Sequence, residues 1–254
     1  MKKPFVVGNW KLYIDTPKRA AELCLSLRRR ARSFSGVEVA VAAPYALIPA
    51  VVAALKGATI KVAAQSVSRD AEGPHTGEVS AAILAAVGTS MVIVGHSERR
   101  ALGENNEAVH AQVVHTRAAG LGVVLCVGEL NRDPADGAHF QFVGAQLTSA
   151  LEGTAPSLAG SLAVAYEPVW AIGKSAAEAA RPGDVHEMVI FIRKLLTERF
   201  GRQAASRVPI LYGGSVEGDN AAALLAEGGI NGFLVGRASA DAESFITILK
   251  LCKP

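Results

Sequence analysis

Ala163-Val164-Ala165-Tyr166-Glu167-Pro168-Val169-Trp170-Ala171-Ile172-Gly173-Lys174-Ser175 contains a strand, its stop and the start of a loop. The run of small and β-branched residues reads as a buried strand. Pro168 lacks an N–H for a ladder and biases Glu167 to an extended backbone, so the strand ends on a carboxylate. An aromatic and Ala-Ile-Gly follow: an apolar loop tip with one glycine able to turn its N–H toward a ligand. Two readings fit this stretch, a base beside a lid or a surface Glu before an ordinary turn.

Working outward, similar short runs recur along the chain: Phe5–Gly8, Val37–Ala42, Ile60–Ala64, Met91–Val94, Gly122–Val127, Leu162–Tyr166, Val208–Tyr212 and Gly232–Val235. Between them lie stretches of helical spacing, such as Ala20/Leu23/Leu27 and Val189/Ile192/Leu195/Leu196, each long enough to cross over between parallel strands. Eight strand–helix units without a linker or a break in composition predict a closed (β/α)₈ barrel, an α/β fold in which residues 1–254 form one domain. An open doubly wound sheet is the alternative for this pattern.

The composition agrees with that class. Of 254 residues, 50% are hydrophobic but only 6% aromatic, which suits short parallel strands under helices better than a β-sandwich. Net charge is +3, and Arg28-Arg29-Arg30 reads as a charged helix face, so no nucleic-acid partner is expected. Cys24, Cys126 and Cys252 are far apart and lack metal-ligand spacing, which fits a reducing cytoplasm and no bound metal. The run Phe5-Val6-Val7 is too short for a signal-peptide core, and no later segment is long and apolar enough to span a membrane.

In such a barrel the chemistry sits where strands end. Those positions carry Asn9 and Lys11, Gln65, His96 and Glu98, Glu129, Glu167, Gly213-Gly214-Ser215, and Gly236-Arg237. Asn9 and Lys11, two apart in an extended segment, would point the same way and offer an amide and a fixed charge to one anion. Lys11 equally suits a strand-end lysine reaching solvent, or a Schiff-base lysine of an aldolase. His96, with Ser97 and Glu98 opening a helix, would have its cationic form disfavoured by the helix dipole and so act as a neutral donor; a purely structural His is the alternative. Glu98 could order Lys11 or the substrate, or pair with Arg99. The glycine turns at Gly213–Ser215 and Gly236–Ser239, each entering a helix, would present backbone N–H groups to a phosphate.

These residues fall within longer motifs: Gly8-Asn9-Trp10-Lys11, Thr76-Gly77-Glu78-Val79-Ser80, Gly95-His96-Ser97-Glu98-Arg99-Arg100, Cys126-Val127-Gly128-Glu129, Ala165 through Gly173, and Tyr212-Gly213-Gly214-Ser215-Val216. In content and order, over essentially the whole length, the chain resembles the triosephosphate isomerase family. The resemblance implies interconversion of dihydroxyacetone phosphate and glyceraldehyde 3-phosphate through an enediol(ate), without a cofactor. It assigns Glu167 as the base and neutral His96 as the electrophile, the pattern known for that family. Asn9 would help polarise the substrate oxygens, Lys11 would supply charge with Glu98 beside it, and Gly173, Ser215, Gly236 and Arg237 would hold the phosphate. It also implies a homodimer in which the 65–79 loop, with Gln65 and Thr76, supports the partner's site.

The chain departs from the family's usual pattern at Ala171–Ala176, where either two tip residues are missing or the alignment shifts, at Leu130–Gly137, at Arg237 in place of a glycine, and at His75 in place of an aromatic. These departures keep a second substrate open, a four-carbon ketose phosphate (a tetrulose phosphate) handled by the same residues. A non-catalytic scaffold is the third reading.

Overall fold

A computed structural model describes residues 3–132, 137–173 and 180–254. Eight strands, β1 (Phe5–Asn9), β2 (Glu38–Ala43), β3 (Lys61–Ala64), β4 (Met91–Val94), β5 (Gly122–Val127), β6 (Leu162–Tyr166), β7 (Ile210–Tyr212) and β8 (Gly232–Val235), pair in sequence order and close into a barrel. Every pairing is parallel. Closure is made by Phe5 opposite Gly232 through Gly8 opposite Val235, so the sheet has no free edge.

Around it, among the described residues, run α1 (Pro17–Arg29), α2 (Ile48–Leu55), α3 (Ala81–Ala86), α4 (Ser97–Ala101), α5 (Asn106–Ala118), α6 (Ala138–Ala150), α7 (Pro182–Phe200), α8 (Arg202–Ala205), α9 (Gly218–Glu227) and α10 (Ala242–Leu251). The helices bury the faces their spacing predicts: Ala20, Leu23, Cys24 and Leu27 in α1, and Val185, Met188, Val189, Ile192, Leu196 and Phe200 in α7. Arg28 and Arg29 close the last turn of α1, where cations complement the helix dipole, and Arg30 caps it beside Glu243.

The alternation along the strands decides where the chemistry sits. Val6, Val41, Val62, Val92, Leu125, Val164, Ile210 and Phe233 face the helices. The residues between them fill the barrel: Phe5, Val7, Ala40, Ala42, Ala63, Met91, Ile93, Val124, Cys126, Ala163, Ala165, Leu211 and Leu234. Alanines on β2, β3 and β6 leave room for Phe5, Met91 and Leu211, so the interior is packed rather than open. Carrying the inward phase one step past each strand reaches Asn9, Gln65, Gly95, Gly128, Glu167, Gly213 and Gly236. Asn9, Gln65, Glu167, Gly213 and Gly236 among the candidate residues therefore occupy the next inward layer, at the mouth.

Some boundaries differ from expectation. The seventh strand starts at Ile210 rather than Val208 because Val208 still bonds back to Ala205 and Pro209, which gives its carbonyl to Val164 at 3.0 Å, has no N–H to donate. The second runs one residue later than expected, the first reaches Asn9 and the third starts at Lys61.

The tightest point of the mouth is between β5 and β6. A Cβ at Gly128 would stand 1.7 Å from the Glu167 carbonyl oxygen, and one at Gly213 would stand 2.9 Å from Glu167 Cγ. Glycine on both sides is thus the condition for Glu167 to lie where it does. Gly128→Ala should force the two strand ends apart at about 1–3 kcal/mol, the usual cost of overpacking. For a chain of this size that is a fall in Tm of about 2–10 °C by calorimetry; an unchanged Tm would show that the strand ends yield freely.

Candidate active site

Glu167 is 2% exposed. Its backbone N–H donates to Val127 at 2.8 Å, which extends the β5–β6 ladder one residue and fixes the Cα. Its Oε2 accepts from the Ser97 N–H at 2.9 Å, at the first residue of α4. Oε1 has no hydrogen-bond partner among the described groups, and His96 Nε2 stands 3.2 Å away without the alignment of a hydrogen bond. A buried acceptor left unmade costs about 1–3 kcal/mol. The fold tolerates that cost at a carboxylate oxygen able to take a proton.

His96 is itself the N-cap of α4, because its ring Nδ1 accepts from the Glu98 N–H at 3.1 Å. A nitrogen that accepts this bond carries no proton, so the proton of the neutral ring sits on Nε2. That places an N–H donor and a carboxylate acceptor side by side, the pairing needed to move one proton while polarising a neighbouring oxygen.

Lys11 reaches the site by a route that the extended reading missed. The strand stops at Asn9, and Lys11 has φ 46°, alone among the described non-glycine residues in having a positive φ. Such a conformation costs on the order of 1–3 kcal/mol and needs support. Asn9 Oδ1 accepts the Lys11 N–H at 3.1 Å, and Gln65 Nε2 donates at 3.1 Å to both the Lys11 and the Ala42 carbonyls. Gln65, expected to serve a dimer, therefore braces Lys11 within its own chain. The Lys11 ammonium bonds Glu98 at 2.7 Å, while Arg99 pairs with Glu104. Burial raises the Glu98 carboxyl and the Lys11 hydrogen bond and charge outweigh it, leaving the group below its ordinary value.

Asn9, Lys11, His96 and Glu167 open into one cleft of about 770 Å³ with Ile172, Gly173, Gly213, Gly214, Ser215, Gly236 and Arg237. The glycine turns enter it differently from the sequence reading. Gly213–Ser215 precede α9 by a further turn, since that helix is capped by Glu217, and Gly236 leads into a single 3₁₀ turn, Arg237–Ala240. The Ser215 hydroxyl donates to the Ala171 carbonyl at 3.2 Å and so joins the β7 loop to the β6 loop. The Arg237 guanidinium lies 5.6 Å above the Tyr13 ring. Lys174, Ser175 and Ala176, where the chain looks shortened, lie outside the described residues. Thr76 is exposed on the 65–79 loop and does not line the cleft.

The family model for triosephosphate isomerase matches residues 4–252. The chain belongs to the triosephosphate isomerase family. It is 43% identical over 251 residues to the triosephosphate isomerase of Carboxydothermus hydrogenoformans, covering 98% of this chain and 99% of that protein. It is 41% identical over 249 residues to that of Symbiobacterium thermophilum, covering 98% and 96%. To that of Streptococcus thermophilus it is 37% identical over 253 residues, 99% of each.

Reading of the sequence left out the Ser97 N–H that holds Glu167, and the glycines that make room for it. The first was signalled by its place directly after His96 at a helix start, and the second by the inward phase of β5 and β7. Glu98 supplies a test of the Lys11 contact. Because the folded value is depressed, the pair's contribution to stability is complete above the ordinary carboxylate range and is lost as pH falls through the lowered value. In Lys11→Met burial and the smaller His96 contribution remain, so Glu98 should titrate higher than in the wild type by carbon-13 NMR. A Glu98 as depressed as in the wild type would mean that Lys11 is not the cause.

Proposed function

We propose that this chain catalyses the interconversion of dihydroxyacetone phosphate and glyceraldehyde 3-phosphate. The observation that carries the reading is the pairing at one barrel mouth of a buried carboxylate with a free Oε1 and a histidine whose proton is on Nε2. Glu167 removes a proton from the carbon beside the carbonyl and returns it to the neighbouring carbon. His96 Nε2–H and Asn9 polarise the two substrate oxygens as negative charge develops on the enediolate, and the Lys11 ammonium supplies a fixed positive charge. Gly173, Ser215 and the Gly236-Arg237 turn take the phosphate. This is acid–base chemistry on an α-hydroxy carbonyl, and no cofactor enters it.

We further propose that residues 1–254 act as one barrel domain, in the cytoplasm, as a homodimer joined through the 65–79 loop. Support for the compartment is three buried, unpaired cysteines; no helix among the described residues is long and apolar enough to cross a membrane. Support for the dimer is the exposure of large apolar side chains on the segments after β1, β3 and β4: Leu12 at 87%, Ile83 at 52% and Leu102 at 78%. In the dimer Thr76 would brace the partner's Asn9 and His96.

A coupled assay should give a higher kcat/KM for triose phosphate than for a four-carbon ketose phosphate, and Glu167→Gln should lower kcat by about 10²–10⁴, the usual worth of a positioned base. The reverse substrate preference would replace the reading with the tetrulose phosphate isomerase. For assembly, shortening the 65–79 loop should yield folded monomers in sedimentation with activity down on the order of a hundredfold, as misplaced groups at this scale require. Fully active monomers would rule out support across the interface.

A further inference from the structure

Arg132 follows β5 by five residues and belongs to none of the groups placed around the substrate. Its side chain is nevertheless only 8% exposed. Burying a guanidinium costs several kcal/mol unless its donors are met, so its partners show what the fold obtains from it. Arg132 donates to the Tyr166 hydroxyl and to the Asp184 carbonyl, each at 3.3 Å, and its other terminal nitrogen bonds the Glu187 carboxylate. The Asp184 carboxylate lies 3.9 Å away and that of Glu129 3.8 Å.

These partners come from two places. Asp184 and Glu187 lie in the first turns of α7, where the chain returns from the β6 loop. Tyr166 and Glu129 hold the other end. The Tyr166 hydroxyl and the Trp170 indole N–H both donate to Glu129 Oε1, each at 2.8 Å, and the Val169 N–H donates to the Glu129 carbonyl at 3.0 Å. Burial, followed by the Glu129 charge and hydrogen bond, raises the Tyr166 phenol and keeps it a donor, so that the link from Arg132 to Glu129 is maintained at any pH of use. Glu129 Oε2 is buried and has no hydrogen-bond partner among the described groups, and Arg132 is the cation that the described residues bring within 4 Å of this carboxylate.

Resting on the isomerase reading, we infer that Arg132 is a positioning residue that ties the departure of the β6 loop, at Val169 and Trp170, to its return at α7. Glu167 ends the same strand only two residues before Val169. A shift at Trp170 is therefore transmitted to the base and to Gly173, while a shift of α7 is resisted through Asp184 and Glu187. The arginine does so because its planar fork can bond two elements at once, which a single ammonium cannot do in the same geometry.

The experiment compares wild type with Arg132→Met, Arg132→Lys and Glu187→Gln. The last removes a partner that is 55% exposed and leaves the buried arginine intact, so it stays informative if Arg132→Met folds poorly. Each is measured for melting temperature, tryptophan emission, kcat, and inorganic phosphate released per isomerisation, since an enediolate loosely held beside its phosphate eliminates it. The chain has two tryptophans, and Trp10 is fully buried in the core, so a change in emission reports on Trp170.

Expected are a shifted emission, a kcat lowered on the order of tenfold and a raised phosphate ratio in Arg132→Met, the same direction but smaller in Glu187→Gln, and incomplete rescue by Arg132→Lys. Emission and phosphate ratio equal to wild type in Glu187→Gln would overturn the inference, as would variants that lose only melting temperature. Absence of turnover in the wild type would instead overturn the isomerase reading, which separates the two failures.

Discussion

Everything at the barrel mouth depends on how closely β5 and β6 approach where Gly128 meets the Glu167 backbone. With a Cβ at residue 128 only 1.7 Å from the Glu167 carbonyl, the two strands could not keep the ladder bond from Glu167 to Val127. That bond sets the Cα of the carboxylate, and Gly213 on the other flank leaves its side chain a slot. Ser97 and His96 then meet a carboxylate already in place. The glycines are useful here for the space they leave, not for backbone freedom.

A second constraint is the partition of unsatisfied and strained groups. The described core is apolar and alternates cleanly, yet the mouth holds an unpaired Glu167 oxygen and a left-handed Lys11. Each is opposed locally: Lys11 by Asn9 and Gln65, Glu167 by Ser97. Their cost falls on a scaffold closed on itself, where no single strand end can relax without breaking pairings on both sides.

Much of this was legible in the sequence. The (β/α)₈ order follows from eight β-rich runs with helical spacing between them, and the residues one inward step beyond each strand are fixed by the two-residue period once the strand ends are known. That period reaches Asn9 and Glu167, while His96 follows one residue after the inward Gly95, and the structure brings the three into one cleft. What was not legible involves geometry that no local pattern carries. Lysine has no preference for a positive φ, so nothing at Lys11 announces its turn; only the distant Gln65 does. The glycine runs near Ser215 and Gly236 read as helix starts because glycine before polar residues suits both a cap and a longer turn, and Glu217 wins the cap by its reciprocal bonds with Asn220. Arg132 lies in a stretch without periodicity, and its hydrogen-bond partners are 34 to 55 positions away.

The same separation explains how the site is divided between rigid and adjustable parts. The groups that would handle protons are held by backbone: Glu167 by the Ser97 N–H, His96 by the Glu98 N–H, and Lys11 through its own main chain. Among the groups assigned to the phosphate, Ser215 and Arg237 are placed by side-chain contacts, Ser215 to the Ala171 carbonyl and Arg237 over Tyr13. Backbone donors belonging to strands and capped helices cannot move without unfolding their element, whereas a hydroxyl or a guanidinium changes rotamer in nanoseconds or less when exposed. Proton transfer tolerates little error in distance, while a phosphate dianion is attracted over several ångströms. The fold thus places its least deformable contacts where the chemistry is least tolerant.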